Sequence, residues 1–146
     1  MTGTLTYDVR RANGEEEMAA VFELRHEVFC QEQGVPEREE LDGRDDESLH
    51  LVAVAGGEVL ATCRLLFVGN TVQFSRLAVR ASARRHGIAS ALLDLADDES
   101  RAAGVRRLVL HAQTYARALY EAAGYVPRGR IFMEAGIEHI AMEKYL

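Results

Sequence analysis

Two stretches of this 146-residue chain combine residue types that can do chemistry. The first is Arg84-Arg85-His86-Gly87-Ile88-Ala89. It lies where a strand-like segment gives way to a helical one, so its backbone N–H groups lack intrahelical acceptors and the helix dipole adds positive potential. Gly87 lets the backbone approach a phosphate, and Ala89 keeps the first helical turn free of bulk. Arg84 and Arg85 bring charge that pairs with phosphate oxygens. Because the stretch is neither GxxxxGKS/T nor GxGxxG, a P-loop ATPase or a Rossmann dinucleotide site is disfavoured. Six residues alone also describe an ordinary helix start with surface arginines. The second stretch, Ala116-Arg117-Ala118-Leu119-Tyr120-Glu121-Ala122-Ala123-Gly124-Tyr125, offers a phenol that can donate to a leaving group. Tyr120 shares a helix face with Ala116, Leu119 and Ala123, so spacing by itself reads it as core.

Charge is divided along the chain. Glu37, Glu39, Glu40, Asp42, Asp45, Asp46 and Glu47 crowd one stretch, with only Arg38 and Arg44 among them. From Val59 through Leu93 there is no acidic residue, while Arg64, Arg76, Arg80, Arg84 and Arg85 fall there. Such runs are ordinarily solvated faces. The sharper reading is two sites, one for a cation and one for an anion, and composition does not choose. The net charge of −6 argues against a general nucleic-acid binder.

The elements that must position these residues follow from periodicity. Spacing predicts strands over 5–9, 49–55, 59–67, 71–79 and 107–112, with Gly56-Gly57 and Gly69-Asn70 as tight turns. An early helix opens at Asn13 with Glu16 as its capping partner. It carries Met18, Val21, Phe22, Arg25, Val28 and Phe29 at helical spacing, and Gly34 and Pro36 end it. Ile88, Leu92 and Leu95 mark a second helix stopped by Gly104, a third contains Tyr120, and closing strands are expected over 125–134 and 139–145. The expected fold is a single domain over 1–146, an α/β mixed and mostly antiparallel twisted sheet flanked by helices, with the Ile88 helix crossing over between parallel neighbours. The apolar share of 48% supports a core and argues against disorder, and no apolar run is long enough to cross a bilayer. Met1-Thr2-Gly3-Thr4 begins no secretory pattern, so a cytoplasmic location is expected. Cys30 and Cys63 make no disulfide framework.

Leu77-Ala78-Val79, Arg84-Arg85-His86-Gly87-Ile88-Ala89 and Ala91-Leu92-Leu93 together resemble the acetyl-CoA signature of the GCN5-related N-acetyltransferases. The tyrosine stretch resembles that family's second hallmark, and the order of elements is also the family's. The resemblance implies acetyl-CoA as co-substrate. Amides of Arg85, His86, Gly87, Ile88 and Ala89, helped by Arg84, would hold pyrophosphate, the backbone of Leu77, Ala78 and Val79 would pair with the pantetheine arm, and Tyr120 would be the general acid. Arg85 stands where many members have glycine, and Gln113 where many have an asparagine that contacts the cofactor arm. Leu24 to Gln33, Glu40-x-Asp42, Asp45, His50, Arg64, His111-Ala112-Gln113 and Glu134 to Ile140 narrow the likeness to the ElaA-like subgroup, without delivering the acceptor. Dimers are common among such proteins, so a homodimer is a further possibility.

An amine acceptor arrives protonated, so its site must attract a cation and then remove a proton. Glu32, Glu40 and Asp42 are candidates for the acceptor mouth, with Glu32 also a catalytic candidate. His111 is a candidate base and His139 a weaker one, although His50 and His139 also suit backbone hydrogen bonds. The acceptor would be a small-molecule or peptide amine. No metal is expected: His26 and Cys30 stand at i and i+4 on an amphipathic helix without a third ligand, and residues 42–48 lack the acids and glycine of a calcium loop. Two rivals remain. Val28-Phe29, Glu40-x-Asp42 and Arg64 also resemble acyl-homoserine-lactone synthases, which are longer and usually carry a tryptophan that this chain lacks. A non-catalytic acyl-CoA-binding module would need neither Tyr120 nor the acidic mouth.

Overall fold

Near-continuous apolar runs, and an alternating one in the last, lay down a meander of three strands, β2 (Leu49–Ala55), β3 (Glu58–Val68) and β4 (Thr71–Val79). Gly56 and Gly57 turn between the first two, both left-handed at φ 57° and 78°, a conformation that suits a tight hairpin. This computed structural model describes residues 5–146, so the reading of Met1-Thr2-Gly3-Thr4 lies outside the described residues. The first strand, β1, spans Asp8–Arg11 and pairs with β2, a shift from the expected 5–9.

The eight-stranded sheet has the order β1-β2-β3-β4-β5-β8-β6. Here β5 is Arg107–Gln113, β6 Val126–Pro127 and β8 Ile137–Tyr145, while β7 (Phe132–Glu134) also pairs with β8. The single closing strand expected over 125–134 is thus two short strands, parted around Gly129 at φ 85°. Among the described residues all pairings are antiparallel except β4 with β5, and helix α3 (Ile88–Ala102) crosses between those two as expected.

Helices cover both faces. On one, α1 (Gly14–Arg25) buries Val21 and Leu24 among Val52, Val59 and Ala78. On the other, α3 buries Ile88, Leu92, Leu93 and Ala96 against Leu51, Leu65, Val72 and Phe74. Truncating Leu92 here would cost about 2–5 kcal/mol, because the cavity cannot fully collapse. Asn13 does not cap α1 through its side chain. Its own N–H is instead taken by Glu17, one residue past the expected partner, and Glu17 is also drawn to Arg10.

The 3.6-residue period predicts one regular helix through Phe29. After Arg25, however, the chain widens into seven residues of π-helix, His26–Glu32. Gln33 N–H reaches Val28 C=O at 3.2 Å and Val35 N–H reaches Phe29 C=O at 2.9 Å. Such wide turns concentrate at functional sites. The acidic stretch beyond it contains a short helix, α2 (Glu37–Glu40), and a 3₁₀ turn, Asp45–Glu47.

Candidate active site

Strands β4 and β5 are paired only from Thr71 to Gln73 and from Arg107 to Val109. Beyond that they part, although β4 runs on to Val79 and β5 to Gln113. The parting begins where β4 is bulged. Arg76 is left-handed at φ 57°, and the register against β3 slips between Thr62 and Arg64. A bulge adds a residue to one strand and bends it away from its neighbour. The facing edges of β4 and β5 therefore carry backbone donors and acceptors without sheet partners, which an extended ligand can satisfy.

The loop that opens α3 sits at one end of this cleft. Arg85 (φ 67°) and Gly87 (φ 76°) are both left-handed, and Gly87 is the N-cap of α3. Left-handed residues turn successive N–H groups to one side, the basis of an anion-binding concavity. No side chain caps α3 and no acid stands in its first turn. Arg85 adopts the left-handed shape without being glycine, so its departure from the family pattern costs conformational strain but leaves the loop intact. Arg84 does not point free. Its Nε donates to Val79 C=O at 3.0 Å, and its Nη2 meets the Glu32 carboxylate at 2.8 Å.

Glu32 is accordingly no free base in this structure, because its charge faces Arg84. The next residue, Gln33, accepts a hydrogen bond from Gln113 Nε2 at 2.8 Å and donates to Tyr115 Oη at 3.4 Å. The end of the π-helix thus ties together the loop after β4 and the end of β5. Gln113 is held by Gln33 rather than pointing into an empty channel.

Tyr120 lies in α4 (Arg117–Ala122), which follows a 3₁₀ turn at Thr114–Ala116 and is shorter than the spacing predicts. Its ring packs edge-on against Phe74 of β4 and Tyr125. Burial pushes its hydroxyl pKa well above that of an ordinary phenol. It belongs to the core, as spacing read it, yet its contact with Phe74 sets it beside the diverging strand.

On the other sheet face, His111 Nδ1 stands 3.1 Å from Glu134 Oε1. An ionised carboxylate only accepts, so in the neutral ring Nδ1 carries the proton and Nε2 the lone pair. His139 is buried, with Nδ1 on Ile137 C=O at 2.7 Å and Nε2 3.6 Å from the same Glu134. His50 Nε2 likewise meets Asp45 C=O at 3.0 Å. The backbone roles weighed for His50 and His139 are the ones seen.

The charge reading needs correction. Glu40 is buried and grips Arg25 at 2.6 and 2.7 Å. Asp42 takes two hydrogen bonds of 2.8 Å from Arg64, and Asp45 lies between Arg25 and Arg64. Arg76 closes the group by donating to Glu40 C=O at 2.9 and 3.1 Å. Glu40 and Asp42 therefore do not present free charge to an amine, and Arg64 and Arg76 do not present free charge to a phosphate. Part of each run is neutralised in one cluster, Glu40, Asp42 and Asp45 against Arg64 and Arg76 with Arg25 added. The cluster fastens the acidic loop onto the β4 bulge. Hydrogen bonds from Arg64 hold the Asp42 carboxyl far below its usual range.

Sequence reasoning missed Arg25, although its place in an otherwise apolar stripe was a signal that it is buried with a counter-ion. It named Glu134 only within the subgroup likeness and gave it no role, because its contact with His111 joins positions 23 residues apart in sequence. Among the described residues no group of three or more His, Cys, Asp or Glu converges as a metal site. Cys63 is buried in β3, with its thiol pushed well up by burial, and Cys30 is partly buried.

A mixed sheet parted at its one parallel pair, with an uncapped helix start at the mouth of the parting, defines the GCN5-related N-acetyltransferase class. The profile of the acetyltransferase (GNAT) domain matches residues 11–146, and the chain belongs to that family. YjcF of Bacillus subtilis (strain 168), an uncharacterized N-acetyltransferase, is 32% identical over 134 residues, covering 91% of this chain and 96% of YjcF. An acyl-CoA N-acyltransferase from Pseudomonas aeruginosa superimposes with a TM-score of 0.84 at 29% identity, covering 96% of this chain and 99% of that one. Escherichia coli ElaA has the same fold, with a TM-score of 0.82 at 22% identity over 96% of this chain and 99% of ElaA. Among the described residues no helix is long and apolar enough to cross a membrane.

Proposed function

We propose that the protein transfers an acetyl group from acetyl-CoA to the amine of a small molecule or peptide by direct attack on the thioester. The observation that carries this reading is the parting of β4 from β5 beyond Gln73 and Val109, at the foot of the uncapped helix α3. Leu77, Ala78 and Val79 offer the backbone edge for the pantetheine arm, and the amides from Arg85 to Ala89 offer donors to the pyrophosphate. Likeness to the Pseudomonas aeruginosa acyl-CoA N-acyltransferase supports the same cofactor class.

The amine nitrogen attacks the thioester carbonyl carbon, a C–N bond forms and the C–S bond breaks. His111 Nε2 takes the proton the amine loses, and Glu134 keeps the ring in the right tautomer. Tyr120 donates a hydrogen bond to the departing sulfur. Its raised pKa lies above that of a thiol (about 8.5), so complete transfer is uphill and the sulfur leaves as a hydrogen-bonded thiolate that water protonates.

The test is thiol release from acetyl-CoA across a panel of amines, with binding of acetyl-CoA followed by calorimetry. Binding together with amine-dependent release supports the reading. Binding without release on any amine would make the protein a binding module, and absence of binding would remove the cleft assignment.

A further inference from the structure

A cavity of about 380 Å³ opens on the face of the sheet that carries His111, and His111 lines one end. That volume lies in the range of small-ligand sites. Strand alternation puts Arg107, Val109 and His111 on this same face, with the Arg107 backbone four residues, about 13 Å, from that of His111 and Glu143 across from Val109 between them. Val109 and Ala141 give the cavity an apolar lining, and Gln73 gives it a polar one.

The two ends differ in charge. At the His111 end the Glu134 carboxylate stands against the ring, 3.1 Å from Nδ1. At the other end Arg107 and Arg128 both approach one carboxylate oxygen of Glu143, at 3.1 and 3.3 Å. Two guanidinium groups against one carboxylate leave an excess positive charge, and the Arg128 side chain is 52% exposed, with donors free for a further acceptor. An acceptor with an ammonium at one end and an anion at the other matches this polarity.

We infer that this cavity selects the acyl acceptor, and that the acceptor is a primary amine carrying a carboxylate within about 13 Å, the reach of an extended tetrapeptide. The inference rests on the acetyltransferase reading and gives it a substrate class. Arg128 and Arg107 bind the carboxylate and thereby place the amine at His111 Nε2.

The test compares tetraglycine with tetraglycine amide, two acceptors that differ only in the terminal carboxylate. A charge-assisted contact predicts kcat/KM about 10- to 100-fold higher for the acid. Arg128→Ala should shrink that ratio to below about twofold, and Arg128→Lys should restore part of it. A wild-type ratio near one, or a ratio that survives Arg128→Ala in a protein with unaltered circular dichroism, overturns the inference. Acetylation of spermidine but of neither peptide also overturns it while leaving the acetyltransferase reading standing. Thiol release with no amine at all defeats that reading, and the inference with it.

Discussion

Arg25 and Glu40 form a two-pronged ion pair, Nε to Oε1 at 2.7 Å and Nη2 to Oε2 at 2.6 Å, with both side chains sealed from water. The pair links the last turn of α1 to α2, and through Arg76 it reaches the β4 bulge. Removing one partner strands a charge in the interior. Arg25→Ala and Glu40→Gln should each lower the free energy of unfolding by about 3–5 kcal/mol, read from urea titrations. Replacing the two together by Met and Leu should recover much of that loss, since a packed apolar pair leaves no unpaired charge. Equal stability of Arg25→Ala and wild type would contradict the buried geometry.

Acid should unfold the protein through the same cluster. Arg64 holds Asp42 well below the ordinary carboxylate range, whereas burial pushes Asp45 up and is outweighed by Arg25 and Arg64, so that Asp45 too is lowered. A carboxyl with a lowered folded pKa stabilises the fold above its unfolded value, about 3.9, and that contribution disappears as pH falls through the folded value. Below about pH 4 the unfolded chain binds protons that the folded one does not. Stability should therefore drop steeply there. Asp42→Asn should be less stable at pH 7 and show a shallower decline in acid, by thermal melts across pH.

Tyr120→Phe keeps the packing against Phe74 and Tyr125 and removes only the hydroxyl. Turnover should fall about 100-fold with the KM for acetyl-CoA within about twofold. Unchanged turnover would return Tyr120 to a purely structural role.

Arg84 is occupied by Glu32 and Val79 C=O, so a pyrophosphate must compete for it. The Glu32–Arg84 pair is substantially exposed and weak. Glu32→Gln should tighten CoA about two- to fivefold in calorimetry and retain turnover. A collapse of turnover would instead make Glu32 the base.

Much of the fold was legible in the chain. Residues 49–55 and 71–79 read as strands at their observed limits because the first is an apolar run buried on both faces, the second buries alternate residues, and the glycines of the turns punctuate them. Gly104, left-handed at φ 74°, marks the end of α3 for the same local reason. The π-helical widening after Arg25 was not legible, since a 3.6 period and a wider turn place nearly the same apolar residues inward over so short a span.

By itself the sequence placed the glycine-bearing loop at the start of α3, because a helix start is set by its own backbone and needs no distant partner. It also determined that charges of opposite sign lie in separate runs. Only the tertiary structure decided what those runs do. Glu40, Asp42 and Asp45 face Arg25, Arg64 and Arg76, and buried charges take the nearest opposite charge whatever their distance along the chain. The cavity that runs from His111 to the two arginines on Glu143 is likewise made of strands that meet only when the sheet closes.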